Sequence, residues 1–333
     1  MQSSAVEEPA VIAYEPAPCH CAPCNHGRLS SSPTTLIVMA LIAVNYIPIV
    51  LFALTQSADA GRVAAVVFFH IGLVLMLLAY FMAMFTDPGT PPEEWQRQMQ
   101  TAVAQGQTIA VCRRSGLYKP PRSHFDSVTQ RLTLNMDHFC PWIVNTVGFY
   151  NRKFFMLFLV YTNLTLAIAL ITLASLLAQS WDWLQAANGA EKHWFPGTVN
   201  VSIWIAAMAI DAFLLLALLP FAHFHLRMAS RNETTIEGYS NPKYDVGQVP
   251  NLRSVFGRSI WTWAVPLYCK GPDGDGIHWP VTTGQRTQNT TVLSHRPESS
   301  CSMRGGPSTF STARSSPSDT YVPKSNADTM PAP

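Results

Sequence analysis

The sequence contains few charged residues. They make up 13% of the 333 residues, whereas an ordinary soluble domain carries roughly 25%. The balance is nearly even, with 22 basic and 20 acidic side chains, so no global basic excess points to nucleic acid as a partner. Because 48% of the residues are hydrophobic, the composition argues against a purely soluble two-domain enzyme. It indicates apolar spans that alternate with polar segments.

The sequence also lacks the features of a secreted protein. The first 32 residues include Glu7, Glu8 and Glu15 and several prolines, without the short apolar core of a signal peptide. An odd number of irregularly spaced cysteines is not typical of a disulfide framework. We therefore expect reduced thiols that face the cytosol. The seven cysteines stand at positions 19, 21, 24, 112, 140, 269 and 301.

Four stretches are long and apolar enough to cross a membrane, for which about 20 residues are needed. They predict an all-α integral membrane protein with four transmembrane helices. The third stretch has no charged residue and the fourth has one, Asp211, which we expect as a protonated or hydrogen-bonded carboxyl that faces His70 or Asn163. A functional polar contact of Asp211 near a cavity is the alternative. The stretches cover residues 35–56, 63–85, 154–179 and 198–222.

The distribution of Lys and Arg predicts the topology. The first and third connections contain only Arg62 and Lys192, whereas residues 87–153 contain eight Lys and Arg. Basic loops stay in the cytosol, so the central region and both termini are expected there, in an endomembrane or the plasma membrane. The predicted organisation is a disordered N-terminal segment (1–34), two spans (35–86), a cytosolic irregular domain (87–153), two spans (154–222), a membrane-proximal segment (223–270) and a disordered Ser/Thr/Pro-rich tail (271–333).

The stretch Asp137–Trp142 (DHFCPW) contains residue types that can activate a thiol. An imidazole can take the proton of a cysteine, and a carboxylate can orient that imidazole. Pro141 favours an extended Cys140, and residues two apart in an extended chain share a side. His138 and Cys140 should therefore face each other, whereas Asp137 reaches His138 only if the backbone turns. A buried cysteine beside a core histidine is the alternative.

The stretch Cys112–Phe155 resembles the cysteine-rich domain of the DHHC protein S-acyltransferases, or palmitoyltransferases. Its similar segments include Lys119–His124, Met136–His138, Cys140–Trp142, Asn145, Val147–Gly148 and Asn151. With the four spans, the resemblance covers about residues 35–260. Three further motifs of the family lie outside this stretch. DPG (Asp87, Pro88, Gly89) precedes it, and TTxE (Thr234, Thr235, Glu237) and an aromatic and Asn-containing motif that includes Asn251 come after it.

The resemblance implies a two-step transfer. Cys140 takes a long-chain acyl group, expected to be palmitoyl, from acyl-CoA, and a membrane-proximal cysteine of a substrate protein then receives it. By match to the motif, His138 is the general base and Asp137 its orienting partner, with Arg122 and Trp142 as candidate acyl-CoA contacts. The alternative is a non-catalytic scaffold or partner subunit, which would have no reason to retain Asp137, His138 and Cys140. An accessory subunit remains an open expectation.

The sequence departs from the family at its zinc ligands. Related enzymes bind two structural zinc ions, each through three Cys and one His, and such a site needs four ligands. Only Cys112 remains, so we expect no structural zinc, and the DHFC variant places Phe139 in the space of a lost ligand beside Phe125 and Leu132. Hydrogen bonds would replace the metal. The eight positions hold Cys112, Ser115, Phe125, Asp126, Thr129, Leu132, Phe139 and Thr146.

The remaining cysteines give weaker signals. Cys19, Cys21 and Cys24 lie close together in a Pro-rich stretch, where short spacing alone is a weak metal signal. We expect acylation of these cysteines, and of Cys269, or no role.

Overall fold

The computed structural model describes residues 32–55, 60–186, 197–238, 242–268 and 271–282. All of them belong to one compact unit, Met1–His295, and the second unit, Arg296–Pro333, lies outside the described residues. The predictions for Cys19, Cys21, Cys24 and Cys269 also lie outside the described residues, as do those for most of the N-terminal segment and of the tail.

Four long helices carry the predicted membrane spans. Because each contains at least 18 consecutive residues of high mean hydropathy, each is long and apolar enough to cross a bilayer. The helices are α1 (Pro33–Thr55), α2 (Ala60–Phe85), α4 (Arg152–Ala186) and α5 (Gly197–Ser230). The helix α4 packs against α2 and α5, and α1 contacts all three. The prediction of four spans is therefore confirmed.

Two helix ends differ from the predicted spans. The helix α5 continues to Ser230, beyond the predicted end at residue 222, and α4 begins at Arg152. Arg152 and Lys153, the first two residues of α4, are 1% and 0% exposed. Lys153 donates to the backbone carbonyls of Thr262 and Leu267. Both cations are therefore buried against other parts of the protein.

The region between α2 and α4 contains regular structure. It begins with α3 (Glu93–Ala104) and continues with two antiparallel hairpins. The protein is therefore mostly helical but not entirely so, which corrects the all-α and irregular predictions. The strands are β1 (His124–Asp126) paired with β2 (Arg131–Thr133), and β3 (His138–Cys140) paired with β4 (Asn145–Val147).

The DPG motif fixes the hairpin region to the end of α2. The carboxylate of Asp87 accepts hydrogen bonds from the backbone N–H of Gly89 and from Arg131. Gly89 has a φ of +101°, and a Cβ there would lie 2.9 Å from the ring of Tyr150. Glycine is required because no other residue combines this backbone conformation with so close an approach.

Asn145 makes a second connection to α2. Its side-chain amide donates to the carbonyls of Ala83, Met84 and Thr86, which have no partner within the helix at its C-terminal end. Since Asn145 opposes Cys140 in the hairpin register, the same residue holds the strand of Cys140 against this end of α2.

The C-terminal segment packs on the same region. It contains short 3₁₀ helices at Pro242–Tyr244 and Ile260–Thr262 and the helix α6 (Gln248–Phe256). Asn251, 0% exposed, donates to the carbonyl of Ser230 and to Asp245. Residues 271–282, assigned to the disordered tail by composition, pack here through Ile277, which is 4% exposed. The packed chain therefore extends beyond the predicted boundary at residue 270.

Asp211 is buried among the spanning helices, and neither predicted partner binds it. Its side chain is 0% exposed, both carboxylate oxygens lack a hydrogen-bond partner among the described residues, and Asn45 on α1 is a polar neighbour. His70 contacts the carbonyl of Val66 in its own helix, and Asn163 donates to backbone carbonyls. Asp211 and Asn45 lie where α5 meets α1, and the structural role of Asp211 stays a prediction.

Candidate active site

The strand β3 brings His138 and Cys140 together. The two residues lie two positions apart on an extended strand, so their side chains point to the same face. Cys140 is 5% exposed, and its thiol lies close enough to the ring of His138 to raise the pKa of that ring. The loop that returns to β4 contains Val144 with a φ of 51°, a strained conformation for a β-branched residue.

The backbone turn that Asp137 needs to reach His138 is present. Asn135 has a φ of 44°, and the backbone N–H of Asp137 donates to the carbonyl of Val147 at 2.9 Å. The carboxylate atom Oδ2 of Asp137 then lies 2.6 Å from Nδ1 of His138. A hydrogen bond therefore joins Asp137 to His138, and the thiol of Cys140 lies beside the same imidazole.

The TTxE motif holds this set from the other side. The backbone N–H of Thr235 donates to Oδ1 of Asp137 at 2.9 Å, and its hydroxyl donates to the backbone carbonyl of Asp137. The two residues are 98 positions apart in the sequence. Each oxygen of the Asp137 carboxylate is therefore engaged, and the carboxylate has one orientation.

A buried arginine supplies the positive charge near Asp137. The guanidinium of Arg152 lies 3.7 Å from Oδ1 of Asp137 and donates to the backbone carbonyl of Glu233. Burial would raise the pKa of Asp137, but the hydrogen bond from His138 and the charge of Arg152 lower it to about 2. Asp137 is therefore a carboxylate at any physiological pH.

The ring of His138 is strongly basic. Burial would lower its pKa, but the hydrogen bonds to Asp137 and Cys140 and the charge of Asp137 raise the pKa of His138 to about 9. At neutral pH the ring therefore holds a proton that it can share with the sulfur of Cys140. An imidazolium beside a cysteine stabilises the thiolate, which is the reactive form.

His225 is a site residue that the sequence analysis missed. Its atom Nδ1 lies 3.8 Å from Oδ2 of Asp137, and its ring centroid is 5.5 Å from that of His138. The ring packs edge-on against Phe155 and Phe221. An ionisable residue within an apolar span was the available signal, but the predicted fourth span ended before it.

The site does not favour a metal ion. Asp137, His138 and His225 are the one group of three or more His, Cys, Asp or Glu ligand atoms within 4.8 Å among the residues that the structure describes. The buried guanidinium of Arg152, 3.7 Å from Asp137, would repel a cation there. The arrangement fits proton transfer to and from Cys140 better than coordination.

The family's zinc-ligand positions hold a hydrogen-bonded cluster instead. Asp126, 3% exposed, accepts bonds from the backbone N–H of Val128 and the hydroxyl of Thr129. The hydroxyl of Thr146 donates to the same carboxylate. Three of the eight positions are thus joined by contacts among their own side chains.

The other zinc-ligand positions offer little to a metal. Phe125 stands opposite Leu132 in one hairpin, and Phe139 stands opposite Thr146 in the other. Cys112 hydrogen-bonds to Ser115. A structural zinc site needs four ligands, mainly thiolates and imidazoles, and one thiol among eight positions does not supply them. The residues present do not fit the two zinc ions of the family.

The two candidate acyl-CoA contacts have different surroundings. The Arg122 side chain is 1% exposed and pairs with Glu237 at 2.7 Å, and its guanidinium also binds Asn232. Its charge is thus already paired within the protein, and an acyl-CoA contact at Arg122 stays a prediction. Trp142 is 49% exposed and follows Cys140 by two positions. An acyl-CoA contact at Trp142 therefore stays a prediction.

The fold and the site together describe a class of protein. A buried Asp–His–Cys set lies against the end of a helix that is long and apolar enough to cross a membrane. A thiol beside an imidazole and a carboxylate is an arrangement that can support chemistry at a cysteine.

Comparison with known proteins identifies the family. A profile described as DHHC palmitoyltransferase matches residues 105–242. The chain is 35% identical to "Probable protein S-acyltransferase 12" of Arabidopsis thaliana over 71% of this chain and 86% of that protein. It is 26% identical to "Palmitoyltransferase ZDHHC15" of Homo sapiens over 80% of this chain and 86% of that protein. The chain therefore belongs to the DHHC palmitoyltransferase family and is an acyltransferase.

Proposed function

We propose that this protein transfers a long-chain acyl group, palmitoyl in particular, from acyl-CoA to cysteines of substrate proteins through an acyl-enzyme on Cys140. The observation that carries the proposal is the Asp137–His138 hydrogen bond with the thiol of Cys140 beside the same imidazole. Asn145 attaches the strand of Cys140 to the end of α2, a candidate membrane span, which supports a lipid acyl group as the substrate. The names of the relatives support the same reaction class.

In the first step the sulfur of Cys140 attacks the carbonyl carbon of the acyl-CoA thioester. A bond forms between this sulfur and the acyl carbon, and the bond from that carbon to the CoA sulfur breaks. The imidazolium of His138 gives its proton to the departing CoA thiolate. The raised pKa of His138, about 9, supports this role because the ring holds a proton at neutral pH.

In the second step a substrate cysteine takes the acyl group. Its thiol gives its proton to the neutral ring of His138, its sulfur attacks the acyl carbon, and Cys140 leaves as a thiolate. The starting pair of thiolate and imidazolium is thereby restored. Because one thioester replaces another, the reaction is nearly balanced in energy, and the protein has to supply thiolate formation and alignment.

We also infer the side of the membrane on which the reaction occurs. The eight Lys and Arg of residues 87–153 favour a cytosolic position for the hairpin region and both termini. The exposed Trp142 suits a contact at the water–lipid boundary or with acyl-CoA. Substrate cysteines would then be cytosolic and close to the membrane.

The proposal is tested by reconstituting the reaction from purified parts. The protein in liposomes is mixed with alkyne-tagged palmitoyl-CoA and a membrane-anchored peptide that carries one cysteine. We expect label on the peptide that hydroxylamine removes, because hydroxylamine cleaves thioesters. A peptide with serine in place of cysteine is the matched control. Equal labelling with intact and heat-inactivated protein would instead favour the non-catalytic scaffold.

We further propose that the hairpin region folds without structural zinc and that Asp126 replaces part of the metal's role. Replacing Asp126 with Ala removes the shared acceptor of Thr129 and Thr146. Since bonds to a buried charged group are lost, the free energy of unfolding should fall by roughly 2–3 kcal/mol. Thermal unfolding in detergent measures the change.

The exposed neighbour Ser127 provides the control for this prediction. Ser127→Ala should leave the unfolding temperature unchanged. Metal analysis of the intact protein should find no stoichiometric zinc, and a chelator should leave acyl transfer unchanged. Two zinc ions per chain, or loss of activity on chelation, would contradict the proposal.

A further inference from the structure

Residues 271–282, which we call the strap, are attached to the protein at both ends and in the middle. Near the start, the backbone N–H of Asp273 donates to the carbonyl of Arg253 at 3.1 Å, and at the end Thr282 donates to the carbonyl of Lys243 at 2.9 Å. Ile277 packs with Leu134 and Phe149 in a small apolar cluster. The strap is therefore held in one position over the hairpin region.

The strap places the ring of Trp279 against Arg122. The guanidinium carbon of Arg122 lies 4.2 Å from the centroid of the Trp279 ring, and the indole N–H donates to the carbonyl of Gly276. The Arg122 side chain is 1% exposed, so this is a cation–π contact that water does not weaken.

Arg122 in turn fixes the TTxE motif. It makes two parallel hydrogen bonds to the carboxylate of Glu237, each 2.7 Å long, a strong and directional arrangement. The same carboxylate accepts the backbone N–H of Thr234 at 3.1 Å. The orientation of the Arg122 guanidinium therefore determines how the motif is held.

The TTxE motif then meets the candidate active site through Thr235. The backbone N–H and hydroxyl of Thr235 bind the carboxylate and carbonyl of Asp137, and Asp137 binds His138 at 2.6 Å. Each link from Trp279 to His138 is a hydrogen bond, an ion pair or a ring contact, except for the peptide bond that joins Thr234 to Thr235. The intermediate groups Arg122 and Asp137 are almost fully buried, so they have little freedom to move independently.

We propose that Trp279 of the strap is a positioning residue for the Asp137–His138 pair and acts through Arg122 and the TTxE motif. The inference rests on the function proposed for Cys140, because the experiment that tests it measures the rate at which Cys140 is acylated. The ring of Trp279 contacts Arg122, Phe149 and Tyr244 and donates to Gly276, so Trp279 acts at a distance from Cys140 and takes part in no bond change.

Replacing Trp279 with Ala should slow acylation of Cys140 by roughly tenfold, the order expected when a desolvated cation–π contact that orients a charged group is lost. If the Asp137 carboxylate is held less firmly, it binds His138 less tightly, and the pKa of His138 falls from about 9. The alkaline limb of the pH–rate profile should therefore move to lower pH. Both readouts come from single-turnover acylation of the full-length protein by palmitoyl-CoA between pH 6 and roughly pH 10.

Two variants make this experiment specific. Trp279→Phe keeps an aromatic face for Arg122, so it should restore most of the rate and the alkaline limb. His278→Ala changes an exposed neighbour on the same strap that bonds to Asp275, and it should behave as the unchanged protein.

The inference is overturned if the Ala variant of Trp279 keeps its rate, or if it loses folded protein while the folded fraction keeps its rate and pH profile. Failure of the proposed function has a different result, namely unchanged acylation after Cys140→Ser. The two failures are therefore distinguishable in one set of proteins.

Discussion

Replacing Cys140 with Ser should abolish acyl transfer to a substrate cysteine, with a decrease of more than roughly 10³-fold, as for other enzymes that lose a covalent nucleophile. A hydroxyl has no accessible anionic form at neutral pH, so His138 cannot generate the nucleophile. The side chain is small and 5% exposed, and serine fits the same space. The measurement is the initial rate of label transfer in liposomes.

Cys112 provides the matched control for this prediction. It is a second buried free thiol in the same region, but its partner is Ser115 instead of the Asp137–His138 pair. Cys112→Ser should retain most of the transfer rate. Loss of activity in both variants to the same degree would show that cysteine burial, and not the chemistry of residue 140, is what matters.

Replacing Asp137 with Asn should lower the rate at neutral pH by about 10²–10⁴-fold, the usual size of a general acid–base contribution. The substitution removes the negative charge and the acceptor that keep the pKa of His138 at about 9. Burial, which lowers this pKa, would then be opposed by Cys140 alone, so the pKa of His138 should fall. The pH–rate profile of Cys140 acylation measures the shift.

The sign of this pH dependence follows from the first step. Activity needs the imidazolium, so it should fall as the pH rises through the pKa of His138, near 9 in the intact protein and well below that in Asp137→Asn. Asp126→Asn changes a buried aspartate that binds Thr129 and Thr146 instead, so its alkaline limb should stay in place. An unmoved limb in Asp137→Asn would contradict the assigned role of Asp137.

Features that depend on neighbouring residues were predictable from the sequence. The four spans follow from the length of the apolar runs, and the shared face of His138 and Cys140 follows from a spacing of two in a chain that Pro141 extends. The loss of thiols at the zinc-ligand positions was also visible by inspection.

Features that join distant parts of the chain were not predictable in this way. The contact of Thr235 with Asp137 spans 98 positions, and no local pattern specifies it. The contacts that compensate the charge of the buried Arg152 come from Asp137 and from the backbone carbonyl of Glu233, 81 positions further on. The strap was assigned to a disordered tail because it has few large apolar residues among its Gly, Pro and polar residues. Two of these, Ile277 and Trp279, nevertheless pack on the apolar surface that Leu134 and Phe149 form.

The central claim is that Cys140 carries the acyl group, and peptide mass spectrometry tests it most directly. The purified protein is incubated with palmitoyl-CoA without an acceptor, stopped at acidic pH, digested and mapped. We predict one palmitoyl group on the peptide that contains Cys140, removed by hydroxylamine and by an added acceptor cysteine. Palmitate found only on other cysteines, or a Cys140 peptide that remains unmodified, would contradict the account.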